Sequence, residues 1–226
     1  MSNIQKDTAE IIAGHYQHTV ELTTESWKER NRLFVFLIVA TGIGLLLVLK
    51  VPEARSLLVD FIVKLLEITK EERIEQLQEN FPLDVILSMI LIIVFYLMQK
   101  LYSTNLSVFR HYIYLGALEK EIRKSLSLPD DSISFTREGE FYWGKRSFTQ
   151  KISKWYYILV ILIILLPFIT LKIIDDFNTQ TYLLAVVDIV VSVGTFLYFV
   201  EYVRSATKFD VKEISETPEE TEDSNK

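Results

Sequence analysis

The sequence contains no cysteine. Disulfide bonds, thiolate metal sites and a cysteine nucleophile are therefore excluded. The short signatures of many enzymes are also missing, because the chain has no GxSxG, HExxH, Walker or GxGxxG pattern. No basic domain suited to nucleic acid is present, and the net charge of -6 comes partly from an acidic tail. We predict a protein that is not an enzyme and that binds no cofactor, metal ion or nucleic acid.

A signal-peptide pattern is missing as well. The first apolar block begins only at Leu33, after a long polar and amphipathic stretch. A cleaved signal would place its apolar stretch nearer the start and follow it with small residues. We expect the mature chain to keep Met1.

The sequence is instead rich in apolar residues that are gathered into blocks. Hydrophobic residues make up 50% of the chain and charged residues 24%, and the charges lie between the blocks. Each block is long enough to cross a hydrocarbon core of about 30 Å as a helix. In lipid the backbone must satisfy its own hydrogen bonds, which favours helices. The four blocks are Leu33–Leu49, Leu83–Tyr102, Trp155–Ile174 and Thr181–Tyr202.

We therefore predict an all-α integral membrane four-helix bundle with cytoplasmic helical extensions. The predicted segments alternate between spans and connections. They are a cytoplasmic amphipathic helix (1–32), transmembrane 1 (33–50), an extracytoplasmic connection with an amphipathic helix (51–82), transmembrane 2 (83–102), a cytoplasmic helix and loop (103–154), transmembrane 3 (155–174), transmembrane 4 (181–202) and an acidic disordered tail (203–226).

The distribution of basic residues predicts the orientation. The N-terminal segment, the second connection and the tail hold eighteen of the 24 Lys and Arg residues, and the other two connections hold six. Cytoplasmic loops carry the excess of Lys and Arg. We expect a multi-pass protein of the plasma (inner) membrane with both termini in the cytoplasm.

Two connecting regions have helical apolar patterns. The pattern at 4–30 and the seven-residue repeat of Val108, Leu115 and Ile122 predict two cytoplasmic helices that pack together, the second ending near Leu126 before Pro129. The segment after Pro52 has an apolar helical face, typical of an interfacial amphipathic helix or of an extended span.

Asp188 is the most conspicuous polar residue within a span. A carboxylate at that depth costs about 2.5–3.5 kcal/mol on insertion and should face protein or water. It belongs to a polar stripe at helical spacing, formed by Thr181, Ala185, Asp188, Ser192 and Thr195. The stripe has two interpretations: helix packing through small residues and hydroxyl groups, or the lining of an ion path in an oligomer.

Other candidates have simpler interpretations. Ala40 and Gly44 form a small-xxx-small pattern that suits a close helix contact. Lys172, Asp175 and Asp176 stand near the end of the third span, where snorkelling and solvation would explain their charge. His15 and His18 are three residues apart, but no further metal ligand is fixed near them.

Two cytoplasmic segments carry a family resemblance. They are the approach to the first span, Trp27-Lys28-Glu29-Arg30-Asn31-Arg32, and the connection YLGALEKEIRKSL (114–126) followed by ISFTREGEFYW (133–143). The architecture resembles small multi-span membrane proteins of bacterial antiphage systems, including SLATT-type effectors. The resemblance implies a homo-oligomeric pore or membrane-perturbing effector that a cytoplasmic protein partner controls. The alternative is a membrane scaffold or adaptor that transports nothing and recruits a cytosolic partner.

Overall fold

The computed structural model describes residues 3–73, 81–129 and 148–208. These residues form helices and connecting turns, and the predicted all-α class is confirmed. The helices are α1 (Asn3–Val48), α2 (Pro52–Leu65), α3 (Leu83–Ser125), α4 (Phe148–Asn178) and α5 (Tyr182–Lys208).

Four helices are long and apolar enough to cross a membrane. Their apolar segments lie within Glu10–Val48, Leu83–Ser125, Trp155–Asn178 and Tyr182–Thr207, with mean hydropathies from 2.1 to 2.8. Large apolar side chains also cover the outer face of the bundle; Leu183 is 82% exposed and Val190 is 66% exposed. Such helices are those of a multi-pass membrane protein, because lipid solvates an apolar outer surface and water does not.

Four of the described helices end in the same backbone arrangement. Lys50, Glu67, Ser127 and Gln180 have φ between 50° and 56°, the left-handed region that side chains disfavour. Each follows the last turn of a helix, and the next residue donates a backbone hydrogen bond five residues back, as from Thr181 N to Asp176 O at 3.2 Å. This is the Schellman arrangement, which satisfies carbonyl groups that a helix end leaves open.

Several segments that were predicted as separate join into single helices in the structure. The amphipathic segment and the first span are one continuous helix, α1, because no Pro separates them and the charged residues between them do not interrupt helical hydrogen bonding. The second span likewise continues through α3 and ends at Ser125, close to the predicted position. Pro167 lies inside α4, which continues past it. The predicted loop falls largely outside the described residues, as does most of the predicted tail.

The chain divides into two compact units, and each long helix contributes residues to both. In the first unit (1–32, 101–155 and 201–226), α1 contacts α3 as the sequence predicted. The Tyr16 hydroxyl donates to Glu119 Oε1 at 2.9 Å, and His15 Nε2 lies 2.7 Å from the Tyr114 hydroxyl. Val108, Leu115 and Ile122, the predicted seven-residue repeat, are buried.

The second unit (33–100 and 156–200) contains the apolar portions of the long helices together with α2. Its interior holds large apolar side chains that are fully buried, such as Leu37, Leu91 and Phe168. Gly44 on α1 allows a close approach: a Cβ there would lie 2.5 Å from Phe168 Cε2. This packing surrounds the polar residues described next.

A buried ion-pair cluster as the candidate functional site

Lys172 and Asp188 are brought level by the hairpin that joins α4 and α5. Lys172 lies six residues before the end of α4 at Asn178, and Asp188 lies six residues after the start of α5 at Tyr182. Each is about 9 Å along its helix from the connecting turn at a rise of 1.5 Å per residue. Antiparallel neighbours in this register place the two side chains at the same depth.

The ion pair itself is almost completely enclosed. Lys172 Nζ lies 2.7 Å from Asp188 Oδ2, and the side chains are 1% and 0% exposed. Lys172 also donates to Asp176 Oδ1, one turn further along α4, where the carboxylate side chain is 1% exposed. A single ammonium group therefore bridges two carboxylates.

Ser88 attaches the third helix to this group. Its Oγ lies 2.7 Å from Asp188 Oδ2 and 3.0 Å from the backbone oxygen of Asp84, so its one proton is shared between them. Lys172, Asp176, Asp188 and Ser88 are called the ion-pair cluster below. The cluster connects α3, α4 and α5 through charge-assisted contacts, which are stronger than neutral hydrogen bonds.

The formal charge of the cluster is negative, because it contains one lysine and two aspartates. Asp176 Oδ2 and Asp188 Oδ1 are buried and have no hydrogen-bond partner among the described residues. Breaking a buried pair by removing one partner leaves an uncompensated charge and is strongly destabilising. Through the cluster, the packing of each of the three helices therefore depends on the other two.

The polar stripe predicted on α5 faces the inside of the bundle. Ala185, Asp188, Ser192 and Thr195 are buried, and Thr181 is half-buried. Thr195 Oγ1 donates to Val191 O at 2.8 Å, whereas Ser192 Oγ is buried with no partner among the described residues. Buried positions of this kind are compatible with the packing interpretation. A path between copies would need the stripe on the outer face.

The snorkelling interpretation of Lys172 is wrong. Its side chain does not extend to the membrane surface, since it is 1% exposed and its ammonium group binds the two buried carboxylates. Asp176 is also buried, because its carboxylate accepts a hydrogen bond from the same ammonium group. Asp175, by contrast, lies near the end of α4 and pairs with a lysine just beyond the end of α1. Lys50 Nζ is 2.9 Å from Asp175 Oδ1, and the lysine side chain is 64% exposed.

The small residues on α1 differ in their surroundings. Gly44 is buried against Phe168 and Ile90, and Ala40 is half-buried. Gly194 on α5 makes a similar contact that no sequence pattern predicts, with a Cβ position 2.8 Å from Phe95 Cε2. Of the two histidines on α1, His15 contacts Tyr114, and His18 is exposed.

Comparison with known proteins returned no match. No family model, no curated protein and no solved structure is significantly similar to this chain.

Proposed function

We propose that this protein is a plasma-membrane scaffold that transports nothing and recruits a cytosolic protein through its first unit. In this proposal both termini and the connection between α3 and α4 are cytoplasmic, as the distribution of Lys and Arg predicts. The four spans anchor the protein, and the helices of the first unit present the binding surface.

The observation that carries the proposal is the enclosure of Asp188. Its charge is paired with Lys172 of the same chain and is 0% exposed, so it does not attract ions to a water-filled path. Outside the ion-pair cluster, the buried side chains of the described second unit are mostly apolar, with Leu91, Val94 and Met98 fully buried on α3, and the polar ones carry hydroxyl groups, as Thr41 does. A cation pathway would need polar groups along its length.

The first unit supports the recruiting role. Along α1, Ile11 is 74% exposed and Leu22 is 40% exposed. Eleven residues are about three helical turns, so the two side chains share one face. The opposite part of α1 is fixed to α3 through Tyr16 and Glu119. Exposed apolar side chains on a firmly held helix are suited to protein binding.

Flux measurements and copurification test the proposal together. Proteoliposomes that contain the full chain should release potassium no faster than empty liposomes. In cells, Ile11→Glu with Leu22→Glu should keep the protein in the membrane but abolish copurification of its partner, whereas Thr24→Glu, a change at an exposed position on the far side of the same helix, should preserve it. Potassium release by the wild type, or unchanged partner recovery by the double variant, would contradict the scaffold.

The second candidate is an oligomeric pore or membrane-perturbing effector controlled by a cytoplasmic partner, in a bacterial antiphage system. Two buried atoms that have no hydrogen-bond partner among the described residues, Asp188 Oδ1 and Ser192 Oγ, favour it, because they would be solvated if the bundle opened. Potassium release that requires several copies and falls in Asp188→Asn would support this candidate. A neighbouring gene for a nuclease or a nucleotide sensor would also favour a pore or effector in an antiphage system.

A further inference from the structure

A charged pocket lies at the end of the second unit where α1 ends and α3 begins. It has a volume of about 600 Å³ and is formed by the ends of α1, α3 and α4 together with the first turns of α2. Its lining includes two basic residues, Lys50 and Arg55, two acidic residues, Asp84 and Asp175, and apolar residues such as Leu47 and Val59. This volume falls in the range of about 300–1,000 Å³ that is typical of small-molecule sites.

The position of this pocket, called the interfacial pocket below, follows from the helices that form it. Three helices that could span a membrane start or stop there, and in the inserted protein such helix ends would lie at the level of the phospholipid headgroups. The outer face of α2 is apolar: Leu57, Phe61 and Leu65 recur every four residues and are 61–69% exposed. Such a face is stabilised when it is immersed in the interfacial region of a bilayer. In the inserted protein the pocket would therefore open among lipids.

We propose that the interfacial pocket binds a phospholipid whose headgroup carries a phosphate and a primary amine, as in phosphatidylethanolamine. The proposal rests on the membrane insertion that the proposed function assumes. The two basic side chains would bind the phosphate, the two carboxylates would bind the ammonium group, and the apolar lining would contact the start of the acyl chains.

The charges of the pocket suit such a zwitterion. The Lys50–Asp175 pair is mostly solvated on its lysine side and is therefore weak and easily rearranged. Asp84 makes no ion pair among the described residues, although its place in the first turn of α3 already favours an acidic residue. Arg55 has an interaction within the chain, but its five N–H donors also allow it to bind a phosphate.

The same chemistry predicts discrimination between lipids. Two carboxylates disfavour a headgroup whose charge is only negative, such as that of phosphatidylglycerol. A choline headgroup has no N–H donor for a carboxylate, whereas a primary ammonium has three. The pocket should therefore prefer phosphatidylethanolamine to both.

Native mass spectrometry of the full chain in mild detergent tests the preference. Phosphatidylethanolamine, phosphatidylcholine and phosphatidylglycerol with identical acyl chains would be offered in equal amounts. We expect phosphatidylethanolamine to be retained preferentially. Arg55→Gln and Asp84→Asn should each reduce its retention by about tenfold, the loss of one charge-assisted contact. Glu53→Gln, a change on α2 outside the pocket lining, should retain the lipid like the wild type.

The proposal would be overturned by equal retention of the ethanolamine and choline lipids, by a preference for phosphatidylglycerol, or by unchanged retention in Asp84→Asn. If a variant does not fold, a series of lipids with zero to three N-methyl groups tests the wild type, and retention should fall as N–H donors are lost. Soluble glycerophosphoethanolamine should compete poorly; equal competition would identify a soluble ligand and refute the lipid.

Alkaline extraction of membranes separates this inference from the proposed function. If the protein remains in the membrane but shows no lipid preference, only the pocket proposal is refuted. A protein that is extracted as a soluble chain sinks the membrane scaffold as well.

Discussion

Replacement of Lys172 by methionine should lower the free energy of unfolding far more than replacement of Asp188 by asparagine. Lys172→Met leaves the carboxylates of Asp176 and Asp188 buried without their cation. Removing one partner of a buried pair costs about 3–5 kcal/mol. That is a large fraction of a typical free energy of unfolding of about 5–15 kcal/mol.

Asp188→Asn changes the charge in the opposite sense. Lys172 keeps Asp176 as its partner, so the remaining pair is formally neutral, and the asparagine oxygen can still accept from Ser88. We expect a loss of about 1 kcal/mol, the typical net contribution of one hydrogen bond. The triple variant Lys172→Met, Asp176→Asn, Asp188→Asn has no buried charge and should regain most of the stability lost by Lys172→Met, because uncharged replacements of buried ion pairs are often tolerated.

Reversible unfolding in bicelles, followed by steric trapping, measures these free energies in a lipid environment. Separate quantification of membrane-inserted protein distinguishes loss of stability from failed insertion. If Asp188→Asn were as destabilising as Lys172→Met, or if the triple variant recovered nothing, the charge argument for the cluster would be refuted.

Three further predictions concern packing, helix ends and topology. Gly44→Ala should destabilise the bundle by about 1–3 kcal/mol, because its Cβ would overlap Phe168, whereas Gly42→Ala, with no atom within 4 Å, should be neutral or stabilising in the same unfolding assay. Gln180→Gly should raise the free energy of unfolding by about 0.5–1 kcal/mol, because it relieves a left-handed φ of 56°; no gain would argue against that backbone conformation. A reporter fused after Lys226 that requires the cytoplasm should be active, and activity of a periplasmic reporter at the same point would reverse the orientation.

The fold was accessible from the sequence because membrane solvation imposes a strong constraint. An apolar run of sufficient length has few alternatives to a helix, so the four spans and the end of α3 near Leu126 could be predicted. The merging of spans with their neighbouring amphipathic segments was harder to predict. Charges around Trp27 and Arg32 mark a change of surroundings, but they do not interrupt helical hydrogen bonding.

The candidate site was predicted only in part. Asp188 was recognised because a carboxylate inside an apolar run is costly, but its cation was assigned to the membrane surface. The sequence does contain a signal for the pair. The turn between the third and fourth spans is short, and Lys172 and Asp188 stand at nearly equal distances from it, so an antiparallel hairpin brings them level. Ser88 has no such signal, because its contact depends on how α3 packs against that hairpin.

This pairing changes what an acidic residue in a span indicates about function. An isolated Asp188 carboxylate would have needed solvation by water or a contact with a second copy of the chain. Either requirement would favour a pore. With Lys172 of the same chain at 2.7 Å, the insertion cost is offset within one copy, and assembly is not needed to shelter the charge. Any oligomerisation would therefore have to be driven by surfaces other than this ion pair.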